Sequence, residues 1–162
     1  MPFDEQDMYH GAALIKIAEH QSFTAINRFS KTLLRGAFKI NASTGVYLKR
    51  ATKPTNGEYI FGFTVANLVE LSKLKTQCDR MFACMVCVAA KQICCIDMDE
   101  IEAHIKGRDA ASHKIETQYQ LLVVVPPSKG FRVYVNAPGV KRRSLKQQIV
   151  SRTRFPGILF SN

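Results

Sequence analysis

Met81-Phe82-Ala83-Cys84-Met85-Val86-Cys87-Val88 is an unbroken apolar run between Asp79-Arg80 and Ala89-Ala90-Lys91. A run of this length with turn-like flanks predicts a central strand buried on both faces. Gln92 to Ile96 pairs back on it across Ala89 to Lys91. Upstream, Ala37 to Asn41 and Val46 to Ala51 flank Ala42-Ser43-Thr44-Gly45 as a hairpin. Lys53-Pro54-Thr55-Asn56-Gly57 is a turn that leads into a strand over Tyr59 to Phe63. Phe23 to Phe29 alternates weakly and reads as a further strand.

Helical segments surround these strands. The first is expected from about Asp7 to Glu19, with acids at its start and Lys16 near its end, as the helix dipole prefers. It is apolar over much of its circumference and is expected to be largely buried. Thr64 caps a second helix, which carries Val65, Leu68, Val69, Leu71, Leu74 and Cys78 toward one side and ends near Asp79. Asp97 and Glu100 form a capping box for a third helix, to about Ile105, with Lys106 to His113 as a surface loop. Gln120 to Val125 and Phe131 to Val135 make a last strand pair around Pro126-Pro127-Ser128-Lys129-Gly130. Ser144 with Gln147 predicts a second capping box, for a short helix over Leu145 to Val150. The mixed order gives an α/β (or α+β) class, a mixed central sheet with helices packed on it. One domain spans residues 1–162, and the stretch 106–118 is the candidate seam.

Composition narrows the function. A chain of 162 residues, 46% hydrophobic and 22% charged, is long enough to bury a full core. The longest apolar run, Met81 to Ala90, is too short to span a bilayer, so no membrane partner is expected. The acidic start Met-Pro-Phe-Asp-Glu-Gln-Asp is not a signal segment, and a cytoplasmic location is expected. The five cysteines are odd in number and crowd into residues 78–95, which suits reduced, buried thiols. Cys84, Cys87, Cys94 and Cys95 have the count of a zinc tetrad. Met85-Val86 continue the strand between the first two, however, and turn Cys84 and Cys87 to opposite faces. Across the hairpin, Cys87 and Cys94 become neighbours. No metal site is expected from them.

Charge carries the functional signal. Residues His20 to Gly57 hold seven Lys or Arg and no acid, and Thr117 to Asn162 hold eight more and no acid. The net charge of +10 comes entirely from these two stretches. Clustered, unpaired positive charge is the footprint of a polyanion partner. In Lys141-Arg142-Arg143-Ser144-Leu145-Lys146, four cations stand at the start of the predicted C-terminal helix, where the dipole disfavours them and an external anion relieves them. Arg132 and Lys129 precede this cluster and Arg152 and Arg154 follow it. Phe131, Tyr134 and Phe155 interleave with them as possible stacking surfaces. His10, His20, His104 and His113 have no ligand spacing, and there is no P-loop, dinucleotide fingerprint or nucleophile elbow.

Over residues 8–90 the order helix, strands, helix, central strand resembles the PD-(D/E)xK nuclease-like core. That resemblance implies a carboxylate on one strand and a Glu-x-Lys on the next, together holding a divalent metal and positioning the attacking water. Lys49 fits the lysine place, but Tyr47 stands where the glutamate would be. The preceding strand offers Lys39 and Asn41 rather than an aspartate. No acid occurs between Glu19 and Glu58. The resemblance therefore implies a copy without its catalytic carboxylates, or one that draws Glu19, Glu58 or the acids at 97–102 into a Mg²⁺ site. Tyr9-His10-Gly11-Ala12-Ala13-Leu14, Gly45-Val46-Tyr47-Leu48-Lys49 and Phe61-Gly62-Phe63-Thr64 are also similar to uncharacterised bacterial proteins, which supplies no activity.

The expected function is binding of DNA or RNA through a basic surface of Arg28, Lys31, Arg35, Lys49, Arg50, Arg132, Lys141, Arg142, Arg143, Lys146 and Arg152. The phosphate contacts would be largely independent of sequence, and no cofactor is needed. One alternative is a diverged metal-dependent nuclease using Mg²⁺, with Lys49, Glu58 and Glu19 as its candidates. The other is a protein-interaction subunit of a larger bacterial defence or mobile-element complex. In that case the apolar tail Phe155-Pro156-Gly157-Ile158-Leu159-Phe160 would be an anchor for a protein partner.

Overall fold

The computed structural model describes residues 1–161. The chain runs α1 (Glu5–Ala18), β1 (Ile26–Arg28), β2 (Ala37–Ile40), β3 (Thr44–Ala51), β4 (Tyr59–Thr64), α2 (Val65–Lys75), β5 (Arg80–Cys87), β6 (Gln92–Asp97), α3 (Met98–Ser112), β7 (Gln118–Val124), β8 (Phe131–Tyr134) and β9 (Gln148–Val150). It ends in a 3-10 turn over Gly157–Phe160. The fold is mixed α/β with two sheets. One has the order β1-β2-β3-β5-β6, the other β4-β7-β8-β9.

The apolar run that opens the sequence argument becomes β5, with Met81 to Cys87 all buried. It lies parallel to β3 on one side and antiparallel to β6 on the other. A parallel neighbour needs a crossover, and β4 with α2 supplies it. Period-two alternation sends the two faces of this sheet into separate cores. Val46, Leu48, Phe82, Cys84, Val86 and Cys95 meet Ala13 and Ile17 of α1. Tyr47, Ala83, Met85, Cys87, Cys94 and Ile96 meet Leu71 and Leu74 of α2, Met98 and Ile101 of α3, and the inner face of the second sheet. That inner face contributes Phe61, Phe63, Leu121, Val123, Phe131 and Val133. Each fully buried large side chain contributes roughly 1.5–3 kcal/mol by the usual area rule.

All three helices start with capping boxes: Asp4 with Asp7, Thr64 with Asn67, and Asp97 with Glu100. Several expectations need correction. Helix α1 starts at Glu5 and is only half-covered, since Ala12, Ile15 and Ala18 face solvent while His10, Ala13 and Ile17 are buried. The strand expected over Phe23–Phe29 is reduced to Ile26–Arg28. Helix α2 stops at Lys75 with Thr76 as its cap, short of Asp79. Residues 106–112, expected as a loop, continue α3, which ends at His113 in the left-handed region. Arg108 explains the extension. It joins Glu116 at 2.8 Å and 2.9 Å and the Asn136 carbonyl at 2.6 Å, which holds the last turns against β7 and β8.

The helix expected over Leu145–Val150 is absent. Leu145 N–H donates to the Val135 carbonyl at 2.9 Å, and Gln148–Val150 pair with β8 as β9. The Ser144–Gln147 contact exists, at 3.0 Å, but between side chains across a bend that leads into β9. The tail is docked on its own chain. Leu159 is buried in the α1 core, its carbonyl accepts from Thr44 Oγ1 at 3.1 Å, and Phe160 stacks on His20 at 4.2 Å. No helix among the described residues is long and apolar enough to cross a membrane.

Candidate functional site

Lys49 is a half-buried cation held among aromatic rings. It stands on the inner face of β3 near that strand's end. Its Nζ lies 4.8 Å from the centre of the Phe63 ring and 5.3 Å from that of Tyr47. Burial pushes its ammonium below the usual lysine range, and among the described residues no carboxylate lies within ion-pair reach. The aromatic faces compensate part of the lost hydration. Beside it opens a shallow cavity of about 340 Å³ lined by Gln6, His10, Tyr47, Leu48, Lys49 and Arg50.

Helix α1 forms the other wall. His10 is buried because it shares a face with Ala13 and Ile17, and its ring lies against Gly36. A Cβ at Gly36 would stand 3.2 Å from the His10 ring and 2.7 Å from the Leu48 carbonyl, so a glycine is needed for this approach. Burial, followed by Arg50, lowers the His10 pKa against the pull of Asp7 and Asp4. The imidazole is therefore held neutral near pH 7. A smaller cavity, about 190 Å³, continues along α1 past Gln6 and His10 to Asp7, Arg28 and Arg35. Arg50 leans on the Tyr9 ring at 5.8 Å, and Lys31 is exposed in the β1–β2 loop.

The acids considered for a metal site do not join Lys49. Glu19 caps the far end of α1 and pairs with Lys16 at 3.1 Å. Glu58 precedes β4, at the end of that strand away from Phe63, where its carboxylate accepts from the Tyr134 hydroxyl. Burial and this carboxylate push Tyr134 upward. Of the acids at 97–102, Asp97 caps α3, Asp99 pairs with Lys75 and Glu100 pairs with Arg154. The donors at the Lys49 cavity are an amide, an imidazole, a phenol and two cations, which do not fit a hard divalent cation. Among the described residues no group of three His, Cys, Asp or Glu is placed to hold a metal. The cysteine tetrad splits between the two cores. Cys84 and Cys95 face α1 with their sulfurs 3.7 Å apart, and Cys87 and Cys94 face the other way. The thiols of Cys84, Cys87 and Cys94 are all raised, Cys87 to about 12 by burial.

The second acid-free stretch divides into used and unused cations. Arg154 pairs with Glu100 at 2.8 Å. Arg152 donates to the Lys129 carbonyl at 2.7 Å and to that of Pro126, with its guanidinium over Phe131. Arg132 reaches Gln147 at 3.3 Å on an exposed face. Lys141, Arg142, Arg143 and Lys146 are exposed and have no ion pair among the described residues. The first three stand on a loop pinned by the Asn136–Ser144 bridge and by Ala137 N–H to the Arg143 carbonyl at 2.6 Å. With no helix at 145–150, no helix N-terminus underlies this cluster.

The two stretches approach each other through the second sheet. Phe63, which Lys49 touches, pairs with Tyr119. Tyr119 lines a cavity with Asn136, the residue at the base of the basic loop. Adjacent strands are about 4.8 Å apart, so β4 and β8 are separated by about 10 Å. Sequence reasoning missed Gln6, His10, Gln118, Gln120 and Asn136. The spacing of His10 with Ala13 and Ile17 carried a signal for the first of the buried positions. The amides had none beyond their alternation with core residues.

Comparison of the chain with protein-family models, with curated proteins and with solved structures found no match.

Proposed function

We propose that this protein binds nucleic acid through phosphate contacts at one end of its two sheets. Arg28, Arg35, Lys49 and Arg50 act on one side, and Lys141, Arg142, Arg143 and Lys146 on the other. The observation that carries this reading is Lys49, a half-buried ammonium with no carboxylate partner, open to a cavity with Arg50 and the neutral His10. A buried cation of this kind is costly alone and is stabilised when an anion arrives. A phosphate meets that need and accepts from Gln6 and His10 as well. The exposed arginines and the loop lysines then follow the backbone of the strand.

Binding of this type releases counterions. Six to eight phosphate contacts give a log–log salt slope of roughly −5 to −7 on duplex DNA. The test is a salt titration of binding to labelled single- and double-stranded DNA and RNA, with Lys16→Glu as a control at a distant site. A steep slope that Lys16→Glu leaves intact and Arg142→Glu/Arg143→Glu reduces supports the reading. No binding at low salt, or equal losses for both changes, rejects it.

A further inference from the structure

A groove of about 490 Å³ lies between α3 and the segment that leads into β9, roomier than the cavity beside Lys49. Its volume falls within the usual range of ligand pockets, about 300 to 1,000 Å³. We infer that it binds a small organic acid with an apolar body. The body lies along α3 and the carboxylate meets Lys146. The inference does not rest on the phosphate reading, because the carbon walls of the groove take no part in that reading.

Helical periodicity builds one wall. Glu100, Ala103, His104 and Gly107 follow the spacing i, i+3, i+4 and i+7, so they share one face of α3. Glycine is disfavoured inside a helix, and Gly107 has no positive φ to require it. A Cβ at Gly107 would meet nothing within 4 Å. The missing side chain therefore leaves open space in the groove and does not serve a close contact with another element. Val135 and Leu145 form the facing wall. Val135 is buried, and Leu145 packs against the same core with its N–H on the Val135 carbonyl at 2.9 Å.

The polar side chains of the walls are spent on neighbours. Glu100 pairs with Arg154 at 2.8 Å, and it accepts from Gln148 and from the Asp97 N–H. Gln148 Oε1 meets His104 Nε2 at 2.9 Å, and Gln147 bonds to Ser144 and Arg132. Lys146 is the lining charge left without an ion pair among the described residues. Carbon walls with one free ammonium at an exposed position complement an apolar body that carries one negative charge. A ligand with many polar groups would set them against Ala103, Gly107, Val135 and Leu145 without partners. A cationic ligand would meet Lys146 as a like charge.

The test is titration of the full chain with octanoate, 1-octanol and octylammonium, followed by the amide NMR shifts of residues 100–107 and 145–148. Octanoate is expected to bind with shifts confined to these residues, about threefold to fivefold more tightly than 1-octanol, which is the worth of one exposed ion pair. Octylammonium should bind weakest. Lys146→Gln should erase the difference between octanoate and 1-octanol. Gly107→Leu and, separately, Ala103→Leu fill the groove from exposed positions with a good helix former, and each should abolish binding of both compounds. The inference is overturned if 1-octanol or octylammonium binds as tightly as octanoate, or if the octanoate preference survives Lys146→Gln. Binding that survives both groove-filling variants, shifts scattered over the rest of the chain, or no binding of any of the three compounds overturns it equally.

Discussion

The two acid-free stretches look alike in sequence and behave differently in the fold. In the first, three of the seven cations lean on aromatic faces, Lys39 on Phe29, Lys49 on Tyr47 and Phe63, and Arg50 on Tyr9, while Arg35 makes a long, exposed pair with Asp7 at 3.9 Å. Such contacts leave most of a cation's donors open. In the second, Arg152 and Arg154 spend their donors on carbonyls and on Glu100, where they fasten the last part of the chain to α3 and the β7–β8 loop. A cation count therefore overstates what the second stretch can offer a ligand. Its available charge is concentrated in Lys141, Arg142, Arg143 and Lys146.

The largest effect expected from breaking this contrast is in stability. Arg154→Ala leaves Glu100 half-buried without its cation and should cost about 2–3 kcal/mol, measured by chemical denaturation. Burial alone would raise the Glu100 pKa, but Arg154, the Asp97 backbone N–H and Gln148 outweigh it and hold the carboxyl below its ordinary 4.5. A depressed folded pKa stabilises the fold above the unfolded value, and that stability is lost as pH falls through the folded one. The wild type should thus lose stability on acidification below about pH 4.5, while Arg154→Ala, with burial opposed only by the Asp97 N–H and Gln148, should lose less.

Next in size are the binding changes. Arg28→Ala with Arg35→Ala, and separately Arg142→Ala with Arg143→Ala, should each lower the salt slope by about 2 and leave stability nearly unchanged. A slope that responds to only one pair would confine the site to one stretch. Smaller again, Lys49→Met keeps the stem against Phe63 and removes the desolvated charge. It should raise stability by up to about 1 kcal/mol while weakening phosphate binding. The Lys49 pKa is lowered from 10.5 in the fold, so the folded state disfavours its proton. The wild type should recover that stability as pH rises through the folded pKa toward 10.5, and Lys49→Met should show no such gain. Least of all, Lys16→Glu, on an exposed pair, should stay within about 0.5 kcal/mol in a thermal melt.

Much of the fold was legible where hydrophobic pattern and local chemistry agreed. The Met81–Val88 run, the hairpin before it and the caps at Thr64 and Asp97 all appear. What misled was local chemistry overruled at a distance. Ser144 and Gln147 satisfy a capping pattern, but β8 offers their segment a ladder edge, and Gln148–Val150 join it. Residues 106–112 look like a loop until Arg108 finds Glu116 and Asn136. Charge was readable as two stretches but not as free or spent cations, because pairing with Glu100 or with carbonyls depends on residues far apart in sequence. Lys49 was singled out, but its desolvation depends on Phe63 from the other sheet. The groove beside α3 depends on a strand pairing, β9 on β8, that no local pattern encodes.

The hydrogen bond from Thr44 to the Leu159 carbonyl closes a loop spanning most of the chain. Helix α1 is synthesised well before Leu159, one of the side chains that covers its core. Contacts of such sequence separation form slowly because the loop entropy is met before any contact repays it. During synthesis the layer beneath α1 therefore stays incomplete until residue 159 has emerged, however early the helix itself can form.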